Sequence, residues 1–167
     1  MYSLNIPVPG RVHRRIDSLS PELALLSTVR THQTLVVKRF GSRSNVEIDG
    51  LETTLRRALN GKQPFKAAVT HIDSFSTPAS GTGIVVFLAV SSPHLLDLHT
   101  GLCSLFEPIE GIEGPDYVPH ITLGRSENIE VVATLLDLPF EPIEWTVTEF
   151  HLWDATYNQP ISKIAIP

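Results

Sequence analysis

An α+β fold is predicted for this chain: a bilobal, duplicated arrangement in which two mainly antiparallel sheets face a central groove and helices cover the outside. Three observations lead there. Strand-like and helix-like stretches follow one another in similar order in the two halves of the sequence. One short pattern occurs in each half, His32-Gln33-Thr34-Leu35 and His120-Ile121-Thr122-Leu123, about half a chain apart. Two adjoining strand patterns are separated only by a turn-rich segment, the mark of antiparallel neighbours. Helices segregated to the outer faces of such sheets complete a layered architecture.

Each element has a local reason. Tyr2 to Val8 alternates apolar and polar residues before Pro7, Pro9 and Gly10, and reads as an opening strand. Arg11 to Ser27 has helical spacing, with Ser20-Pro21-Glu22 as a break or fresh start. Thr28 to Phe40 is the first motif strand, closed by Gly41. From Asp49 to Asn60, Leu51, Leu55, Ala58 and Leu59 share one helical face, and Gly61 ends the helix. Phe65 to Phe75 and Gly83 to Val90 form the strand pair joined by Ser76 to Thr82. His94 to Phe106 is helical in spacing, and the Gly/Pro-rich loop Gly111 to Pro119 leads into the second motif strand. Asn128 to Leu138 reads as a short helix, Ile143 to Trp153 as a strong strand and Ile161 to Ile166 as the last one.

A chain of 167 residues is expected to form one domain, residues 1–167, large enough to bury a real core. No apolar run spans a bilayer, and Met1 to Gly10 lacks the pattern of a secretory signal. The one cysteine, Cys103, has no disulfide partner and reads as a small residue in an amphipathic helix; a reducing, cytoplasmic setting is expected. Net charge is −5, so the broad basic field that grips long duplex nucleic acid is missing. The basic groups Arg11, Arg14, Arg15 and Lys38, Arg39, Arg43 read as solvated faces, and a phosphate-bearing substrate would be a nucleotide or an RNA end.

The repeated pattern carries the chemistry. Side chains two apart on a strand share a face, about 7 Å from one to the next. His32 and Thr34 therefore look one way, as do His120 and Thr122. Of the seven histidines only these two are followed by Thr and then Leu; His71 and His151 read as structural, His94 and His99 as surface residues. Two imidazoles and two hydroxyls facing one groove would supply proton transfer in both directions and donors to phosphate oxygens, the needs of phosphodiester cleavage. A metal site is not expected, because Thr stands where Asp, Glu or Cys would complete ligation. No nucleotide-binding glycine fingerprint and no cofactor motif is present.

These residues resemble a known family, the two-histidine (2H) phosphoesterases, in the branch named for RNA 2′-5′ ligase and 2′,3′-cyclic phosphodiesterase activity. The resemblance rests on Thr31-His32-Gln33-Thr34-Leu35 and on Pro119-His120-Ile121-Thr122-Leu123-Gly124-Arg125, with support from Val147-Thr148-Glu149-Phe150-His151-Leu152-Trp153. One departure is the run Val36 to Gly41, two residues longer than the Phe-Leu-Gly that often follows the family's first motif. The resemblance implies metal-independent opening of 2′,3′-cyclic phosphate ends, with possible reversal as 2′-5′ ligation. It makes His32 the acid at the leaving oxygen and His120 the base on water, with Thr34 and Thr122 on the phosphate.

Arg125 matches a family arginine and is carried over as a phosphate contact. Strand parity points it away from His120 unless the strand is irregular near Gly124. Lys38, on the face of His32 and Thr34, is a candidate rim cation; the competing reading is an exposed strand-end lysine. Tyr117 either stacks on a base or closes the core. Trp145 and Trp153 read as packed, Trp153 being the better candidate for exposure. The alternative to an enzyme is a non-catalytic nucleotide- or RNA-end-binding module of the same fold. Selection among substrates falls to the rim loops Gly41 to Val46, Ser76 to Thr82 and Gly111 to Val118. Oligomeric state is not readable.

Overall fold

The computed structural model describes residues 1–41, 48–76, 78 and 81–167. Its strands are β1 (Tyr2–Ile6), β2 (Thr28–Val29), β3 (Leu35–Phe40), β4 (Phe65–Phe75), β5 (Ile84–Ser91), β6 (His120–Ser126), β7 (Ile143–Val147), β8 (Glu149–Asp154) and β9 (Gln159–Ala165). Every pairing is antiparallel. The order is β7-β4-β5-β6-β3-β1-β8-β9, with β2 also against β6. Two four-stranded halves thus meet at β6 and β3, where Leu35 opposite Ile121 is the bridging pair, and the sheet curls into a half-barrel. The two expected sheets are the halves of one.

Helices α1 (Gly10–Ser18), α2 (Ser20–Leu23), α3 (Ile48–Leu59), α4 (Pro93–Cys103) and α5 (Ile129–Leu136) follow the predicted spacings to within a few residues. Their starts are chemically marked. Ser92 Oγ accepts from Leu95 N ahead of Pro93, and Asn128 Oδ1 accepts from Glu130 N and Val131 N. Such caps satisfy amides that the first helical turn leaves unpaired. Leu51, Leu55 and Leu59 of α3 and Leu95, Leu98 and Leu102 of α4 are buried in the same cluster as Leu4, Leu35, Ile121 and Leu123 of the central strands. Each such side chain contributes about 1.5–3 kcal/mol on removal from water.

Four sequence expectations change. Ile143 to Trp153 is two strands, because the buried parity slips at Thr148: Trp145 and Val147 are buried on one side of it, Phe150 and Leu152 on the other. β7 pairs with β4, and β8 with β1, in opposite halves of the sheet. The duplication is therefore not sequential, since β4 belongs to the half of the second motif and β8 and β9 to the half of the first. His99, expected at the surface, is 1% exposed.

The fourth change concerns the first motif. Thr28 to Phe40 is broken into β2 and β3, both against β6: Val29 lies opposite Gly124, Arg30 N donates to Leu123 O at 2.8 Å, and Leu35 lies opposite Ile121. Only Thr122 separates Leu123 from Ile121 on β6, whereas Thr31 to Thr34 separate Arg30 from Leu35. Those surplus residues loop out, and His32 is exposed in that bend. Gly124 permits the close approach of β2, since a Cβ there would collide with the carbonyl oxygen of Thr28 and stand 2.8 Å from Leu26 Cδ1. Gly124→Ala is expected to destabilise the fold by about 1–3 kcal/mol, read as a lower urea midpoint at unchanged slope.

Candidate active site

Along β1, Ser3 and Asn5 face away from the buried Leu4 and Ile6, and they line a cavity of about 380 Å³ on the concave side of the sheet. Beside them the flanking strands contribute Val36 and Arg39 from β3 and Trp153 from β8, and β6, beyond β3, contributes His120, Thr122 and Arg125. Thr34, Arg30, Phe75, Tyr117 and Asp116 complete much of the wall. A volume of this size suits a nucleotide-sized ligand.

Two β-bulges decide which side chains reach the cavity. On β6 the register against β5 jumps between Val86–Gly124 and Phe87–Thr122, leaving Leu123 as the extra residue. Leu123 and Gly124 are consecutively buried, and the parity inverts, so Arg125 joins His120 and Thr122. This is the irregularity that parity required of Arg125. Its guanidinium lies over Gly81 (φ 76°), where a Cβ would stand 2.7 Å from Nη1, and Nη1 donates to Thr82 O at 3.4 Å.

On β3 the register against β1 jumps between Leu4–Lys38 and Asn5–Val36, leaving Val37 extra. Val37 and Lys38 are both buried, and Arg39 takes the cavity side. Lys38 is therefore not a rim cation. It is fully buried, with Nζ 2.5 Å from Glu113 Oε2 and donating also to the carbonyls of Arg39 and Glu107. Arg39, passed over in the sequence as part of a solvated face, takes the place assigned to Lys38.

His120 is the cavity's histidine among the described residues. Its ring meets Phe75 and Phe87 edge-on at centroid distances of 5.0 and 5.2 Å. Nδ1 lies 2.6 Å from the carbonyl oxygen of Val118, which fixes the proton on Nδ1 and leaves Nε2 as the basic nitrogen. Burial holds its pKa below the ordinary imidazole value; the Val118 carbonyl opposes this, and Arg39 and Arg30 add to it. The imidazole is thus neutral near pH 7.

His32 does not line the cavity. Its expected place depended on an unbroken strand, and the loop-out of Thr31 to Thr34 removes it. It sits beside a lining residue, since Arg30 Nε donates to His32 O at 3.3 Å. Thr34 and Thr122 both reach the wall.

Tyr117 lines the cavity but is held by the protein. Its ring stacks on His99 at 3.7 Å and its hydroxyl donates to Val36 O at 2.8 Å. Burial raises its pKa strongly. His99 in turn donates from Nδ1 to Val37 O and accepts from Gly114 N at Nε2, near Cys103 Sγ. The second motif's lead-in loop is thereby tied to the bulge of β3. Of the rim loops, residues 42–46, 77, 79 and 80 lie outside the described residues, and Arg43 of the second basic group with them. Among the described residues no three His, Cys, Asp or Glu side chains are grouped to hold a metal, and no helix is long and apolar enough to cross a membrane.

Fold and cavity together define a two-lobed α+β protein with a neutral imidazole, hydroxyls and guanidinium groups around one nucleotide-sized cavity. The chain belongs to the 2′-5′ RNA ligase superfamily, which it matches over residues 8–158. An RNA 2′,3′-cyclic phosphodiesterase of Methanothermobacter thermautotrophicus is 28% identical over 117 residues, covering 70% of this chain and 61% of that protein. The chain thus spans less than two thirds of that relative's length. Among solved structures, TT0787 of Thermus thermophilus superposes with a TM-score of 0.69 at 20% identity, covering 98% of this chain and 96% of the other. Escherichia coli LigT complexed with 3′-AMP gives 0.59 at 19% identity, covering 99% and 96%. These likenesses show the shared fold.

Proposed function

We propose that the protein, read as one domain over residues 1–167, is a metal-independent phosphodiesterase that opens 2′,3′-cyclic phosphate ends of RNA or nucleotides, with 2′-5′ ligation as the reverse reaction. One observation carries the reading: His120, neutral and basic at Nε2, shares a cavity with Thr122, Thr34 and arginine side chains. The name of the Methanothermobacter relative and the 3′-AMP in the LigT crystal point to the same substrate class.

In the forward direction His120 takes a proton from the attacking water. Thr34 and Thr122 donate hydroxyl hydrogens to the non-bridging oxygens, where negative charge builds up in the transition state, and Arg125 neutralises it. The departing ribose oxygen needs a proton, and the motif resemblance assigns that role to His32, whose ring would have to turn in from its exposed bend beside the cavity-lining Arg30.

The test is hydrolysis of adenosine 2′,3′-cyclic phosphate by the purified chain with excess EDTA. Phosphomonoester product at an undiminished rate is expected; loss of turnover to chelator overturns metal independence. His32→Ala is expected to cost about 10²–10⁴-fold in kcat, and a rate near wild type would remove His32 from the mechanism. A second reading, a binding module without turnover, is favoured by the exposed position of His32 outside the cavity. It predicts saturable nucleotide binding and no product after prolonged incubation.

A further inference from the structure

The two central strands present their cavity residues in the same pattern. β6 offers His120 and Thr122, then a bulge at Leu123, then Arg125. The segment entering β3 offers Thr34 and Val36, then a bulge at Val37, then Arg39. The arginine stands five residues after the first cavity side chain in both cases. Arg39 is therefore the counterpart of Arg125 across the groove. Its backbone N–H donates to Glu113 Oε1 at 2.6 Å, which pins the strand, while its guanidinium has no hydrogen-bond partner among the described residues.

Charge makes the same point. Arg30, Arg39 and Arg125 line one cavity, and Asp116 is the acidic side chain among the described lining residues. A cyclic phosphodiester brings a single negative charge, which one guanidinium can match. Holding further guanidinium groups together in a half-buried space is costly unless a second anion completes it. We propose that Arg39 is a specificity-determining residue that binds a second phosphate of the substrate, distinct from the phosphate at His120. This rests on the reading of the site as a nucleotide-end site. The ligand class it defines is a nucleotide end bearing another phosphate, either a terminal 5′-phosphate or the next diester of an RNA strand.

Binding of product analogues tests this without relying on turnover. Calorimetry with the full chain should give tighter binding of adenosine 3′,5′-bisphosphate than of adenosine 3′-monophosphate, by about 10–100-fold, the usual worth of hydrogen bonds to a charged group. Arg39→Gln should bring that ratio close to one while changing the monophosphate affinity little, and Arg39→Lys should restore part of it. The exposed Arg14→Gln should leave the ratio as in wild type. A 3′-phosphorylated dinucleotide separates the sources: an Arg39-dependent gain there assigns the second phosphate to the RNA backbone, and a gain confined to the bisphosphate assigns it to a 5′ end. Equal affinities in wild type, an undiminished ratio in an Arg39→Gln protein with wild-type melting, or an equal loss in Arg14→Gln would overturn the proposal. Failure of turnover with the ratio intact would instead count against the phosphodiesterase reading alone.

Discussion

His120→Ala will lower kcat for adenosine 2′,3′-cyclic phosphate by about 10²–10⁴-fold while leaving the far-ultraviolet circular dichroism unchanged. The magnitude is that of one positioned proton transfer. The variant removes a half-buried ring that contacts Phe75 and Phe87 at the cavity wall, so the loss should fall on rate more than on stability. A companion measurement fixes the protonation state. Burial lowers the pKa of His120, with Arg39 and Arg30 adding to the effect, so the basic form persists below the ordinary value of about 6.5. In wild type kcat/KM should rise with pH along a limb whose midpoint lies below that value. Arg39→Gln removes one of the depressing charges and should move the midpoint upward. A midpoint above 6.5 in wild type, or full turnover in His120→Ala, contradicts the role of base.

The architecture and much of the wall were legible because local periodicity reports them. The leucines of α3 and α4 recur at helical spacing, and the alternating β4 and the continuously apolar β5, on either side of a turn-rich segment, mark an antiparallel pair. His120 and Thr122 were legible for the same reason, since their strand is regular up to Leu123. What failed were features that depend on a partner strand. A bulge is a mismatch between two strands, so nothing local in Leu35-Val36-Val37-Lys38 announces that Val37 is the extra residue. One unrecognised bulge exchanged Lys38 for Arg39 as the cavity cation. The departure noticed in the motif, a run two residues longer than in relatives, was the available signal. The bulge at Val37 falls within that run, whereas the loop-out of Thr31 to Thr34 precedes it and lies in the motif itself. The slip at Thr148 was readable, because buried parity passes from odd to even positions between Val147 and Phe150.

Glu113→Ala should destabilise the protein by about 3–5 kcal/mol, more than any single change in the cavity wall. Removing one partner of a buried ion pair leaves the other charge without compensation, and both side chains here are fully buried. Glu113 has more than Lys38 to satisfy. Its Oε1 accepts from Arg39 N and its Oε2 from Ile109 N, so truncation also orphans two backbone amides. Lys38→Met should cost less, because the remaining carboxylate keeps both amide donors and a methionine fills much the same space. The double variant should be less destabilised than the sum of the two singles, since removing both charges leaves neither unpaired. Urea unfolding of the four proteins measures this. Strict additivity would mean that the pair is not coupled. The same contact joins β3 at its bulge to the loop ahead of β6, so loosening it should also weaken the Arg39-dependent preference for a second phosphate, even at temperatures where the variant remains folded.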